Sequence, residues 1–297
     1  MPPEPPKPPE ESGLIIPPGS GLALLANGDP QVLSEIISRS LAHIQTSKAL
    51  AVAERRAGEE CELEIAPGVK MAMCWIPPGE FIMGSPADEE GRRDDEAQHR
   101  VRITQGFWLA KTPTTQAQWR TVMGNNPYCF NAGEDIAVVS VSWEDICGNE
   151  SGTGGFLGEL NKHEPTGGRF HLPSEAQWEY ACRAGTSGPY AGDLDEMGWH
   201  HMTSDFRRHP VGQKKANAWG LHDMHGNVWE WCADRYGAYD ENGVTDPRGA
   251  VTGSHRVIRS SVWDGSEDDA RSARRFHDLP SFTSDYGIGF RVARGQP

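Results

Sequence analysis

The sequence lacks any apolar run near the roughly 20 residues that a helix needs to cross a bilayer. Its N-terminus has neither the basic region nor the apolar region of a secretory signal peptide. Basic residues are also scarce, since 28 Lys and Arg stand against 42 Asp and Glu and give a net charge of −14. An acidic surface repels phosphate backbones. These absences predict a cytoplasmic protein that has no membrane span and no nucleic acid partner.

Cysteine motifs and the common catalytic motifs are absent as well. The six cysteines of the chain are Cys61, Cys74, Cys129, Cys147, Cys182 and Cys232. None forms a C-x-x-C pair, which argues against a zinc ribbon and against a dense disulfide framework. The sequence also contains no G-x-S-x-G elbow and no phosphate-binding loop, so it does not point to a serine hydrolase or a nucleotide-binding enzyme.

What the chain does contain changes along its length. Eight of the 22 prolines lie within the first 18 residues, and residues 1–28 are therefore predicted to be a disordered tail. Residues 29–58 carry apolar residues at helical spacing after an Asp-Pro cap, which predicts an amphipathic helix that docks on the main domain, self-associates or binds a partner. Residues 62–297 contain short strand-like runs, many glycines and two convincing helices, at 114–123 and 174–183.

Several segments of the chain align in order with the motifs of one known family. They are residues 75–84, 96–102, 107–119, 141–145, 172–185, 217–231 and 289–292. Together they resemble the formylglycine-generating enzyme (sulfatase-modifying factor) family over residues 70–294. The resemblance implies a variant C-type lectin fold, which is a compact α+β domain with little regular secondary structure, preceded here by the N-terminal helix. It also implies a ligand surface made by the C-terminal segment, residues 256–291.

A calcium site follows from the same resemblance. In the family the segment that matches Gly226-Asn-Val-Trp-Glu-Trp231 holds calcium, and the matching positions here are Asp223, Gly226, Val228 and Glu230, the middle two through their carbonyl oxygens. Oxygen ligands of this kind suit Ca²⁺. The alternative is that both carboxylates bond loop amides. A calcium ion bound only by the native loop would make the melting temperature sensitive to a chelator.

The oxidase chemistry of the family needs a feature that is missing here. Its enzymes oxidise a substrate cysteine with O₂ by means of two cysteines that bind Cu(I), a soft ion that prefers thiolate ligands. In the family these cysteines precede the closing Gly-Phe-Arg, but residues 256–291 of this chain contain no cysteine. The sequence therefore predicts a protein that binds no copper and is not an enzyme. The alternative is that Cys182 and Cys232 form a replacement pair, although buried thiols or one disulfide account for them better.

The C-terminal segment, residues 256–291, carries the features of a binding surface. Ser260-Ser-Val-Trp263 replaces the family's Gly-Gly-Ser-Trp, and an acidic run follows. Aromatic side chains give rigid contact area, and Asp and Ser give orienting hydrogen bonds. The candidate ligand face consists of Trp263, Asp264, Ser266, Asp268, Asp269, Phe276, His277, Asp278, Phe282, Asp285 and Tyr286. The alternative for this segment is drift on a solvated loop. Trp229 and Trp231, which precede the segment, are predicted to fill the core.

The ending Ile288-Gly-Phe-Arg291 also resembles that of the variable proteins of diversity-generating retroelements. These proteins vary residues just upstream through mutation at template adenines. Asn codons mutated in this way cannot encode Met, Trp, Lys, Gln or Glu, and residues 276–286 contain none of these five. The sequence therefore predicts a non-catalytic protein that binds a protein or another macromolecular ligand. The alternatives are a copper-dependent oxidase with atypical ligands and a regulatory or structural module.

Overall fold

The computed structural model describes residues 55–127, 133–148, 154–162, 168–240, 242–284 and 287–295. The predicted tail at 1–28 and most of the predicted helix at 29–58 lie outside the described residues. Residues 55–58 are described and form an irregular stretch and a turn rather than a helix. Gly58 has a φ of 76° there, and its N–H donates to the carbonyl of Trp75 at 2.9 Å.

The described part of the chain combines short strands with a few short helices. The strands are β1 (Glu60–Ala66), β2 (Val69–Ile76), β3 (Gly79–Met83), β4 (His99–Ile103), β5 (Phe107–Ala110), β6 (Arg169–His171), β7 (Trp229–Arg235), β8 (Val244–Thr245), β9 (Arg256–Ser260), β10 (Phe276–Asp278), β11 (Ile288–Gly289) and β12 (Ala293–Gly295). The helices are α1 (Gln116–Met123), α2 (Trp143–Cys147), α3 (Gly155–Lys162), α4 (Glu175–Arg183) and α5 (Leu194–Met197). This mixture agrees with the predicted α+β class.

Both helices predicted from the sequence form, and each begins with the same capping arrangement. At the start of α1, the Thr115 hydroxyl accepts from the Gln118 N–H at 3.2 Å, and the Gln118 side chain accepts from the Thr115 N–H at 3.0 Å. Ser174 and Gln177 make the same reciprocal pair before α4. Such pairs satisfy two backbone donors at a helix end, where some have no partner within the helix. The spacing of Ser or Thr before Gln therefore sets where each helix begins.

The described strands form three sheets. The first has the strand order β1-β2-β5-β12-β6, so that the last of the described strands lies between β5 and β6. The second has the order β10-β9-β7-β11 and contains the three strands of the candidate ligand segment, and the third has the order β3-β4-β8. Among the residues described, no helix has the length and apolar character needed to cross a bilayer.

The core between these elements is aromatic. Trp75, Trp178 and Trp231 are fully buried. The indole N–H of Trp178 donates to Glu230 Oε2 at 2.8 Å, and that of Trp231 donates to the Val141 carbonyl at 3.1 Å. A buried indole contributes its apolar area without penalty when its N–H has a partner. The prediction that Trp231 fills the core is confirmed.

Buried ion pairs join helix α4 to strand β9. Arg259 on β9 donates to Glu175 Oε1 and to Glu179 Oε2, each at 2.8 Å. Glu179 also accepts from Arg183 Nε at 2.9 Å. All four side chains are buried. Loss of one member would therefore leave a buried charge without its partner, which is far less favourable than the loss of an exposed pair.

We predict that Glu179→Gln lowers the free energy of unfolding by about 3–5 kcal/mol, because Arg259 and Arg183 lose a buried counter-charge. Urea denaturation measures this difference. Glu159→Gln on α3 is the matched control, since its partner Lys162 is exposed, and we expect it to leave the stability nearly unchanged. Equal effects of the two substitutions would mean that the buried pairs do not hold the domain together.

Candidate ligand-binding site

The connection from β9 to β10 is held to the rest of the domain by two of its arginines, of which Arg271 is the first. Its guanidinium donates to both carboxylate oxygens of Glu96, at 2.7 and 2.8 Å, and to Glu89 Oε1 at 2.8 Å. It also donates to the carbonyl of Gly91 at 2.6 Å. Arg271 and Glu96 are buried. This bidentate pair fixes the connection to the loop that precedes β4.

Arg275 makes the second attachment. Its Nε and Nη2 donate to Glu175 Oε1 and Oε2, at 2.7 and 3.0 Å. Burial alone would raise the pKa of the Glu175 carboxyl, but the guanidinium groups of Arg275 and Arg259 lower it to about 2. Glu175 is therefore charged at neutral pH, and the attachment of the connection persists across the physiological range.

The acidic turn in this connection contains the first group of predicted ligand residues, Trp263, Asp264, Ser266, Asp268 and Asp269. Asp264, Ser266 and Asp268 are exposed, and the other two are half-buried. The Ser266 hydroxyl donates to Asp269 Oδ2 at 2.8 Å, and Arg274 Nε donates to Asp269 Oδ1 at 3.0 Å. Asp269 is thus engaged in the hydrogen bonds that shape the turn, whereas Asp264 and Asp268 face solvent.

The second group of predicted ligand residues lies on β10 and just after it. Phe276 and Phe282 are 37% and 41% exposed. The half-buried His277 ring lies 3.9 Å from the ring of Tyr236, measured between centroids. The Asp278 carboxylate accepts from the next backbone N–H, that of Leu279, at 2.8 Å. Asp285 and Tyr286, the last two members of the predicted face, lie outside the described residues.

Trp229 and Leu279 adjoin this second group but were absent from the predicted face. Trp229 is half-buried, and its ring lies 5.5 Å from that of Phe276, which corrects the prediction that Trp229 fills the core. Strand alternation places it on the same face as Trp231. However, the Phe276 ring beside Trp229 is itself exposed, so this end of the sheet face is open to solvent. Leu279 is 46% exposed, and its only signal in the sequence was its position between predicted ligand residues.

The residues predicted to hold calcium are engaged by protein groups. Both oxygens of Glu230 accept from Arg291, at 2.7 and 2.8 Å, and the Gly226 carbonyl accepts from the Val228 N–H at 3.0 Å. Asp223 Oδ2 accepts a backbone N–H at 2.7 Å, while its Oδ1 is buried without a partner. Across the part of the chain that the structure describes, no three His, Cys, Asp or Glu side chains are grouped to hold a metal ion. The calcium site stays a prediction, and Glu230 suits it poorly because its charge is already compensated.

The two thiols considered as a replacement copper pair, Cys182 and Cys232, are free and buried. Burial raises the pKa of Cys182 to about 12 and that of Cys232 well above its usual value. Cu(I) is bound by the thiolate, which such burial disfavours. The Cys182 sulfur lies 3.6 Å from Ser272 Oγ and 3.8 Å from His225 Nε2, inside the core. The pair therefore does not fit a copper site, and no disulfide joins the two sulfurs.

Comparison with known proteins assigns the family. Residues 64–296 match the domain family described as sulfatase-modifying factor enzyme 1-like. The chain belongs to this family. The resemblance carried by the aligned motifs of the sequence is thereby confirmed, and those motifs include the buried Trp231 and Arg291 that organise the core.

The sulfatase-modifying factor family includes relatives with and without activity. The chain is 28% identical to the formylglycine-generating enzyme of Streptomyces coelicolor, over 73% of this chain and 87% of the relative. It is 30% identical to the inactive C-alpha-formylglycine-generating enzyme 2 of Bos taurus, over 78% of this chain and 91% of the relative. Family membership by itself therefore does not decide whether a chain is an enzyme.

Two further similarities concern the extent of the domain. The chain spans less than half the length of the first curated relatives it matches, among them the serine/threonine-protein kinase pkn1 of Chlamydia caviae, with 28% identity over 88% of this chain and 44% of the kinase. Among solved structures, Treponema denticola variable protein 1 superposes with a TM-score of 0.68 and 26% identity. That match covers 80% of this chain and 99% of the variable protein, so the two domains share their overall fold.

We predict that Asp234→Asn raises the melting temperature by a few degrees at pH 8 and leaves it unchanged near pH 4. Burial, together with the nearby Glu175 charge, raises the pKa of the Asp234 carboxyl to about 7. A raised carboxyl pKa means that the folded state favours the protonated form, so stability is lost as the pH rises from about 4 through 7. Asn keeps an oxygen for the Glu175 N–H, which Asp234 accepts at 2.9 Å.

Thermal unfolding at the two pH values measures this effect. Asp88→Asn is the control, because Asp88 is exposed, and the melting temperature of this variant should follow that of the wild type at both values. A loss of stability at pH 8 in the Asp234→Asn protein would contradict the prediction.

Proposed function

We propose that this chain is a non-catalytic ligand-binding protein, in which a C-type lectin fold displays a variable binding surface. The observation that carries the proposal is the contrast between the two sides of the connection after β9. Arg271 and Arg275 attach it from beneath through buried ion pairs. Asp264 within the connection, Phe276 on β10 and Phe282 just after β10 are exposed.

A surface held in this way is suited to binding. Because its backbone is already fixed in the folded state, little conformational entropy is lost when a ligand docks. Its side chains are of the kinds that antibody loops use, with aromatic rings for contact area and small polar groups for hydrogen bonds. Trp229 adds to the aromatic part, since its ring packs beside Phe276. An open surface spread over a turn and an edge strand favours a protein or another macromolecule as the ligand.

We further propose that the chain is a variable protein of a diversity-generating retroelement. The similarity to a solved variable protein supports this origin. So does the composition of residues 276–286, which avoids the residue types that mutated Asn codons cannot encode. Exposed positions such as Phe276 and Phe282 can change without disturbing the buried arginine pairs beneath them, which is the property that a diversified surface requires.

The binding surface can be tested with peptides selected against the wild-type protein from a displayed random library. We expect Trp263→Ala and Phe276→Ala each to weaken binding of most selected peptides by about tenfold or more, because each removes a rigid aromatic contact. Surface plasmon resonance gives the dissociation constants. Val251→Ala is the matched control, since Val251 is 92% exposed but lies outside the candidate face.

Two results would contradict this function. Unchanged peptide binding by both aromatic variants would mean that the surface is placed wrongly. Oxygen consumption by a copper-loaded preparation, together with turnover of a Cys-x-Pro-x-Arg peptide, would favour the oxidase alternative. We expect no turnover, because residues 256–291 contain no thiol and Cys182 and Cys232 are buried.

The proposed origin makes a separate prediction about the gene. We expect sequencing of the locus to find a reverse transcriptase and a near-identical repeat of the 3′ coding end, in which the differences fall at template adenines. The differences should map to the candidate face and spare the codons of Arg271, Arg275 and Arg291. A locus without such a repeat would remove the retroelement origin and leave a binding protein of fixed sequence.

A further inference from the structure

Residues 199–209 form a loop that exposes two large apolar side chains, Met202 and Phe206, each of which is 70% exposed. Apolar surface of this size in contact with water contributes nothing to folding. Single exposed apolar residues are common, so exposure by itself assigns no role. The base of this loop, its backbone conformation and its neighbours distinguish it from an ordinary surface loop.

The base of the loop is rigid. The rings of Trp199 and His209, at its two ends, are stacked at 3.7 Å between centroids with an interplanar angle of 5°. The His209 N–H donates to Asn227 Oδ1 at 3.1 Å, and Asn227 Nδ2 donates back to the His209 carbonyl at 3.2 Å. His209 Nε2 also lies 2.7 Å from the Ser204 carbonyl. These contacts hold the two ends of the loop together.

The backbone at the tip of the loop is strained. Asp205 and Phe206 have φ values of 52° and 54°, in the left-handed region where the Cβ atom of an L-residue is crowded. Asp enters this region more readily than Phe, and Gly enters it freely. A phenylalanine that is strained and 70% exposed is a poor choice for folding. Strained residues of this kind cluster at active sites and ligand-binding sites.

The loop adjoins the acidic turn of the candidate face. The His201 N–H donates to the Gly265 carbonyl at 3.0 Å, and His201 Nδ1 lies 3.2 Å from the same oxygen. Met202 follows His201 directly in the chain. Gly265 lies within the turn that carries Trp263 and Asp264. The apolar side chains of the loop and the side chains of the turn therefore belong to one stretch of surface.

The two parts of this stretch of surface differ in charge, since the loop contains Asp205, Arg207 and Arg208, whereas the turn is acidic. Residues 260–270 include Asp264, Glu267, Asp268 and Asp269 and contain no Lys or Arg. Three of these carboxylates are exposed, and the fourth, Asp269, is half-buried and bonded within the turn. A partner that meets this surface needs apolar side chains to cover the loop and cationic side chains to face the turn.

We propose that residues 199–209 are a constant part of the ligand face, with Met202 and Phe206 as apolar contacts, and that the partner is a protein surface whose apolar side chains are flanked by Lys or Arg. This inference rests on the proposed function, since it extends the same binding surface. It adds contact residues that lie more than fifty positions before Trp263, the first residue of the candidate face, counted from Phe206. These contacts would stay the same while other residues of the candidate face vary.

A synthetic amphipathic peptide of Leu and Lys is the probe, and isothermal titration calorimetry measures its dissociation constant. We expect the double variant Met202→Ser, Phe206→Ser to bind the peptide about tenfold more weakly than the wild type. Val251→Ser is the matched control, because it removes an even more exposed apolar side chain elsewhere, and it should bind like the wild type. A Ser/Lys peptide of equal charge should bind the wild type much more weakly than the Leu/Lys peptide.

A second variant separates binding from folding. Phe206→Gly removes the aromatic contact and also relieves the left-handed strain. We expect its melting temperature to equal or exceed that of the wild type while its affinity for the Leu/Lys peptide falls. A purely structural role of Phe206 would instead lower the melting temperature.

The outcomes distinguish this inference from the proposed function. If Phe276→Ala weakens binding of the Leu/Lys peptide but the loop variants do not, the ligand face stands and its extension to the loop is wrong. If neither Phe276→Ala nor the loop variants weaken binding, both are wrong. If the wild type does not bind the Leu/Lys peptide, or binds the Ser/Lys peptide equally well, the inferred partner chemistry is overturned.

Discussion

Buried guanidinium groups paired with buried glutamates are the interaction on which the rest of this domain depends. Arg259, Arg271, Arg275 and Arg291 are all buried, and each bonds a buried carboxylate. A domain of short strands and long connections leaves many backbone carbonyls that no sheet can satisfy. An arginine has five donors in a planar fork, so it bonds a carboxylate and loop carbonyls together. The arginine pairs therefore stabilise the connections, as hydrogen bonds within a sheet stabilise the strands.

The residues that stabilise the fold are therefore different from those exposed on the candidate face. The carboxylates of Glu175 and Glu179 belong to α4, and their partners Arg259 and Arg275 flank the connection that carries the acidic turn. Because the connection is held from the core side, its outward side chains bear little of the stability. Relatives in the same family include a formylglycine-generating enzyme and an inactive one.

Local sequence signals predicted the parts of the fold whose causes are local. The capping pairs of Thr115 with Gln118 and of Ser174 with Gln177 are three residues apart, so the starts of α1 and α4 could be read directly. The prediction that Trp229 fills the core was wrong, because the exposure of its ring depends on Phe276, a residue of another strand. The loop that contains Phe206 gave no signal at all, since an exposed phenylalanine and a core phenylalanine look alike in a sequence.

The amino-acid sequence by itself determined the family, the α+β class, the capped helices and the lack of any thiol in residues 256–291. Each of these depends on residue identity or on short spacings. Only the tertiary structure decided which side chains of the candidate face are exposed and which partners the buried carboxylates have. The Glu230 carboxylate is a suitable type of ligand for a calcium ion, yet its oxygens accept hydrogen bonds from Arg291, 61 positions away along the chain. Burial and charge compensation are set by contacts between distant segments, and no local pattern records them.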